Sequence, residues 1–164
     1  MLKLTKFNKI IVTRVIVLLT VLFTTFFSVS SMANTSTVEG SGPSGSTIKI
    51  SITLGTKTMV AVVRDNPTAQ EFISLLPMTV TLRDFSPAEK VSRELPQALS
   101  QQGAANMDSG SVGDIAYYAP WGNIAFYRGQ GPVAHGVIKI ARIISGIDAL
   151  NQEGSLEATI SILE

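Results

Sequence analysis

From Thr47 onward the chain alternates strictly: Ile48, Ile50, Ile52 and Leu54 are apolar, and Lys49, Ser51 and Thr53 between them are polar. A period of two with one apolar side marks a half-buried strand. Gly55-Thr56 reads as a tight turn into Lys57–Arg64 (KTMVAVVR), a second strand apolar enough to be covered on both faces. Asp65-Asn66-Pro67-Thr68 stops it. Asn66 can accept a bond from the free amides that begin a helix, and Pro67 suits the first helical position because its missing N–H costs nothing there. The helix predicted over Thr68–Leu76 presents Ala69, Phe72, Ile73 and Leu76 as one stripe to lay on a sheet, and Pro77 ends it. Met78, Val80 and Leu82 alternate with Thr79, Thr81 and Arg83 as a third strand.

Between residues 84 and 112 the periodicity weakens. Lys90–Leu95 has the pattern of a short strand, and Pro96–Val112, rich in Gln, Ser, Gly and Ala, reads as a long loop of the kind that carries function or moves. Two strands follow, Asp114–Ala119 and Asn123–Arg128, joined by Pro120-Trp121-Gly122. A polar loop, Gly129–Gly136, leads into a strand at Val137–Ile144, a short helical turn at Gly146–Leu150 and a last alternating strand through Leu156, Ala158, Ile160 and Ile162. No internal repeat is visible. Many short strands with one well-capped helix and a second helical turn predict a mainly β domain, an antiparallel barrel or curled sheet plugged by helices.

The residues before Thr47 are of another kind. Lys3, Lys6, Lys9 and Arg14 precede fifteen uncharged residues, Val15–Val29, and then Ser30-Ser31-Met32-Ala33. That is the three-part layout of a secretory signal, with cleavage expected between Ala33 and Asn34. The competing reading is an uncleaved anchor, the one route by which the chain would touch a membrane. Asn34–Ser46 (NTSTVEGSGPSGS) has the composition of a flexible Gly/Ser linker. Its Gly40-Ser41-Gly42-Pro43-Ser44-Gly45 matches G-x-G-x-x-G only formally, since no strand precedes it and a strand, not a helix, follows. The expected plan is a signal peptide over 1–33, a linker over 34–46 and one domain over 47–164, exported to the periplasm or secreted.

This division changes the charge. The 164 residues hold 13 Lys and Arg against 12 Asp and Glu, a net +1. Without the first 33, nine basic and twelve acidic side chains remain, a net −3. Scattered basic residues on an acidic domain release few counterions, so nucleic acid is not an expected partner. With no cysteine and one histidine, His135, neither a zinc site nor a Cys or Ser nucleophile with its base is expected, and no cofactor is read from the chain. His135 lies in a Gly-rich loop with no visible partner, so its plain reading is an exposed loop residue. Tyr117, Tyr118, Trp121, Phe126 and Tyr127 fall within eleven residues. In strands the members of each adjacent pair face opposite sides, so one is core and the other exposed or in a groove; packing and ligand binding account for the cluster equally well.

The order of these elements resembles the cyclophilin fold, and more closely the bacterial cyclophilin-like domain family. Four stretches carry the resemblance: Asp65-Asn66-Pro67-Thr68-Ala69-Gln70-Glu71-Phe72 running on to Leu75-Leu76-Pro77, Glu94-Leu95-Pro96, Gly113-Asp114-Ile115-Ala116-Tyr117-Tyr118-Ala119-Pro120, and Ile140-Ala141-Arg142-Ile143-Ile144-Ser145-Gly146-Ile147-Asp148-Ala149-Leu150. The resemblance implies a closed antiparallel barrel of about eight strands with one long and one short helix. Catalytic cyclophilins lower an X–Pro barrier of about 18–20 kcal/mol by holding the twisted amide in an apolar groove beside an arginine. Their signature is a Phe-His-Arg strand followed by a Gln-Gly-Gly-Asp turn. Here Arg93 lacks the preceding Phe-His, Gln101-Gln102-Gly103 is a faint echo of the turn, and His135 lies two residues too early. No catalytic role therefore transfers. The expectation is an exported module that binds a peptide or small ligand without efficient isomerase activity, with Arg93, Tyr118, Trp121, Phe126, Arg128 and His135 as candidate groove residues. One alternative is a divergent peptidyl-prolyl isomerase using Arg93, or Arg128 beside Phe126 and Trp121. Another is a structural module of an envelope assembly.

Overall fold

The structure, a computed structural model, describes residues 47–164; the signal and linker read for residues 1–46 lie outside the described residues. Strands β1 (Lys49–Leu54) and β2 (Lys57–Val63) form a hairpin through Gly55-Thr56. Helix α1 (Pro67–Ser74) follows, then β3 (Met78–Ser86), β4 (Glu89–Glu94), a two-residue β5 (Met107–Asp108), β6 (Asp114–Tyr118), β7 (Asn123–Tyr127), a two-residue β8 (Ala134–His135), β9 (Val137–Ser145) and β10 (Leu156–Leu163). Eight strands close a barrel in the order β1-β10-β3-β4-β7-β6-β9-β2, every neighbour antiparallel, while β5 and β8 pair separately as a small ribbon. Lys49 at the start of β1 lies opposite Leu163 at the end of β10. No helix among the described residues is long and apolar enough to cross a membrane.

Alternation decides what fills the barrel. Ile50, Ile52, Leu54, Met59, Ala61, Leu82, Ile115, Tyr117, Ile124, Phe126, Ile140 and Ile160 point inward and form one core with Ala69 and Phe72 of α1 and Leu150 of the 3-10 turn Ile147–Asn151. Each fully buried chain of this size stabilises by about 1.5–3 kcal/mol. The capping at α1 is as the sequence predicts: Asn66 Oδ1 accepts from the Ala69 N–H at 2.9 Å, and its Nδ2 donates to the Lys139 carbonyl of β9 at 2.9 Å. The helix starts one residue earlier than expected and has two turns. In β2 the expectation of cover on both faces fails. Met59 and Ala61 are buried while Val60 and Val62 stay partly exposed, because the outer side of this part of the wall meets solvent.

The opposite half of the barrel differs. Outer-facing Val91, Ala116, Ala125, Tyr127 and Val137 form a second buried cluster, so β4, β7, β6 and β9 are covered on both faces. Ala134 of β8 packs on that outer cluster, and Gly110 and Gly131 lie against its Tyr127 ring. The loop after β4 sinks Leu95 and Leu99 into the core and is stitched to α1, with Thr68 Oγ1 donating to the Ser100 carbonyl at 2.6 Å and the Ser100 N–H donating to Glu71 Oε2 at 2.6 Å. β3 runs on to Ser86 and turns through Pro87-Ala88 into β4. At that end Lys90 is fully buried, its Nζ 2.8 Å from Asp84 Oδ1 and donating to the Gly154 carbonyl at 2.9 Å. Arg128 meets the same Asp84 oxygen at 2.8 Å.

Candidate functional site

Three rungs of the outer wall make the floor of a groove. Glu89 lies opposite Tyr127 and Val91 opposite Ala125 across β4 and β7, and Asn123 lies opposite Tyr118 across β7 and β6. Above this floor stand Phe85 from β3, Trp121 from the 3-10 turn Ala119–Trp121, Pro132 and Ala134 from the loop and β8, and Val137 at the start of β9. They enclose a cavity of about 230 Å³. The small Ala125 at mid-floor leaves the room. Trp121 meets both Phe85 and Tyr118 edge-on, with ring centroids 5.3 Å apart and planes at 82° and 83°.

Tyr127 is the fixed rear wall. Gly110 and Gly131 clamp its ring from two sides so closely that a Cβ on either would overlap it, and the Gly131 N–H donates to the Gly110 carbonyl at 2.9 Å. Burial first, then the nearby Glu89, Asp114 and Asp108 carboxylates and Tyr118, push the Tyr127 phenol up to about 12, which keeps it protonated. Glu89 is 6 % exposed, and burial raises its carboxyl above the ordinary value. Asn123 Nδ2 donates to the Ser92 carbonyl at 3.1 Å, while its buried Oδ1 has no hydrogen-bond partner among the described residues. Among the described residues no three His, Cys, Asp or Glu side chains gather as a metal ion requires.

The chain thus carries an apolar groove on the outside of an eight-stranded barrel, over strands whose outer faces are covered. The model of the cyclophilin-like family matches residues 52–161. The chain belongs to the cyclophilin-like family. In fold it is also similar to the solution structure of the hypothetical protein AF2241 from Archaeoglobus fulgidus, with a TM-score of 0.52, 18 % identity, and coverage of 73 % of this chain and 98 % of that one. No curated protein matches it.

On this cyclophilin-like barrel the six residues singled out from sequence do not converge. Tyr118 and Trp121 line the groove. Phe126 points the other way, fully buried inside the barrel, because β7 puts Ile124 and Phe126 on its inner face. Arg128 is spent on structure: its Nε donates to the Pro87 carbonyl at 2.9 Å, and its other nitrogens to the Leu150 and Ser86 carbonyls at 2.9 and 3.3 Å. Arg93 is exposed near the end of β4 and is not part of the groove lining. His135 is exposed and faces a separate open cavity of about 450 Å³ with Pro120 and Asn106, its Nδ1 3.1 Å from the Asn106 carbonyl. Neighbouring Ala134 lines the groove, so β8 divides the two spaces.

Sequence reasoning missed Glu89, Asn123 and Tyr127 as groove residues. A signal existed for the last: polar Asn123 fixes the outer face of β7, and Tyr127, four residues on, shares it. For Glu89 there was none, since its strand begins in the stretch without periodicity.

Proposed function

We propose that the protein is an exported cyclophilin-like module that binds a peptide segment or small ligand in the outer groove and has no efficient prolyl isomerase activity. The observation that carries the reading is the lining: a half-open, aromatic-walled groove in which no residue is an arginine or lysine. Ligand sites have this composition, apolar walls with a few placed polar groups. Electrostatic stabilisation of a twisted X–Pro amide needs a donor aimed at the prolyl nitrogen, and Arg128 is already committed to three carbonyls and Asp84. Export is supported by the N-terminal sequence, with its basic start, uncharged run and small-residue cleavage site. A protease-coupled assay on X–Pro peptides is expected to give no rate above background. Clear catalysis abolished by Arg93→Ala would overturn the non-catalytic reading.

A further inference from the structure

The groove is apolar except at its two ends, and each end offers an oxygen short of a donor. At one end is Glu89, a residue 6 % exposed, whose carboxylate still reaches solvent and has neither a hydrogen-bond donor nor a cation beside it among the described residues. At the other is Asn123 Oδ1, buried and unpaired, on a side chain 3 % exposed. A buried acceptor left without a donor, such as Asn123 Oδ1, is rare in native proteins, and a partly desolvated carboxylate such as Glu89 favours a cationic partner. Asn123 and Tyr127 are four residues apart on β7, roughly 13 Å at a strand's rise, and Glu89 sits across from Tyr127. One small group cannot serve both acceptors. Between them lie Val91, Ala125 and the rings of Tyr118, Trp121 and Phe85, whose faces carry negative quadrupole potential.

Carboxylate, amide oxygen and ring faces all favour the same partner. An anion would be repelled, and a hydrocarbon would bury Glu89 further with nothing in return. We propose that the groove takes a small elongated organic cation: an ammonium at the Glu89 end, a flat apolar body against Trp121 and Tyr118, and a second hydrogen-bond donor that reaches Asn123 Oδ1. A cavity of about 230 Å³ holds a one-ring amine; drug-sized ligands occupy about 300–1,000 Å³. This narrows the binding role proposed above and rests on it.

Trp121 is the sole tryptophan of the chain, so its fluorescence reports on the groove alone. Three probes separate the contributions: tyramine, 2-phenylethylamine, which lacks the far donor, and 4-ethylphenol, which lacks the ammonium. Tyramine is expected to change the emission saturably and to bind most tightly of the three. Glu89→Gln should weaken both amines about tenfold or more while leaving 4-ethylphenol unchanged, as loss of a charge-assisted bond requires. Asn123→Ala should weaken tyramine and 4-ethylphenol but not 2-phenylethylamine. If 4-ethylphenol binds as well as tyramine and Glu89→Gln changes neither, the cation is wrong while groove binding stands. If a blocked lysine peptide binds and tyramine does not, a small free amine is wrong and the peptide form of the binding role survives. If no amine, phenol or peptide perturbs Trp121, the binding role fails with it.

Discussion

Glu89 is a residue that the folded protein holds at a cost. Burial raises its carboxyl above the ordinary 4.5, so the folded chain holds this proton more tightly than the unfolded one does. Below that value both the folded and unfolded forms carry the proton and nothing is lost. As pH rises through the elevated folded value, the folded state must hold a desolvated charge and is destabilised. Glu89→Gln is therefore expected to raise the melting temperature at neutral pH, with a gain that shrinks to nothing in acid; scanning calorimetry of both proteins from pH 3 to roughly pH 8 reads this directly. A lower melting temperature at neutral pH would mean that Glu89 has a stabilising partner. The residues that make the groove were poorly legible for a related reason. β7 is buried on both faces, so the alternation that exposes a half-buried strand is absent, and Phe126 and Tyr127 look equally eligible until register assigns them opposite sides.

At the scale of elements the sequence was most readable where one side of a segment meets water. β1 and β10 keep their period of two, and Asn66-Pro67 announces α1 through capping chemistry that needs no tertiary context. β4 was only partly legible, since its inward Lys90 breaks the apolar pattern and is tolerated solely because Asp84 and the Gly154 carbonyl receive it. The link from β9 to the 3-10 turn passes through Gly146, which has φ 75° and where an added Cβ would run into the Thr58 carbonyl of β2. Gly146→Ala is expected to destabilise by at least about 1–3 kcal/mol in urea unfolding. Gly55→Ala is the control, because Gly55 has φ 61° but open space around it, so its cost should be the backbone part alone, about 1 kcal/mol. Equal losses at the two sites would show that the clash with β2 adds nothing.

For the whole molecule, Asp84 is a junction between distant parts of the chain. It receives Lys90 of β4, the guanidinium of Arg128 after β7 and the Gly154 N–H ahead of β10, and the Lys90 bond chiefly holds its carboxyl below 3.8. A depressed value stabilises above the unfolded pKa, and that contribution is lost as pH falls through the folded one. Asp84→Asn should accordingly lower the melting temperature at neutral pH, and the curves of variant and parent should draw together in strong acid, the reverse of the trend for Glu89→Gln. The family was legible from the order of elements; the groove was not, because its floor and walls come from three separate stretches, 85–91, 118–127 and 132–137, that barrel closure brings together. Closure also fixes where the domain can be grasped. Lys49 and Leu163 meet at one seam of the wall, and the order β1-β10-β3-β4-β7-β6-β9-β2 puts β6 and β7 diametrically across from that seam. A bead, a chip or a fused protein attached at either end of the domain thus holds it from behind, with the groove facing outward.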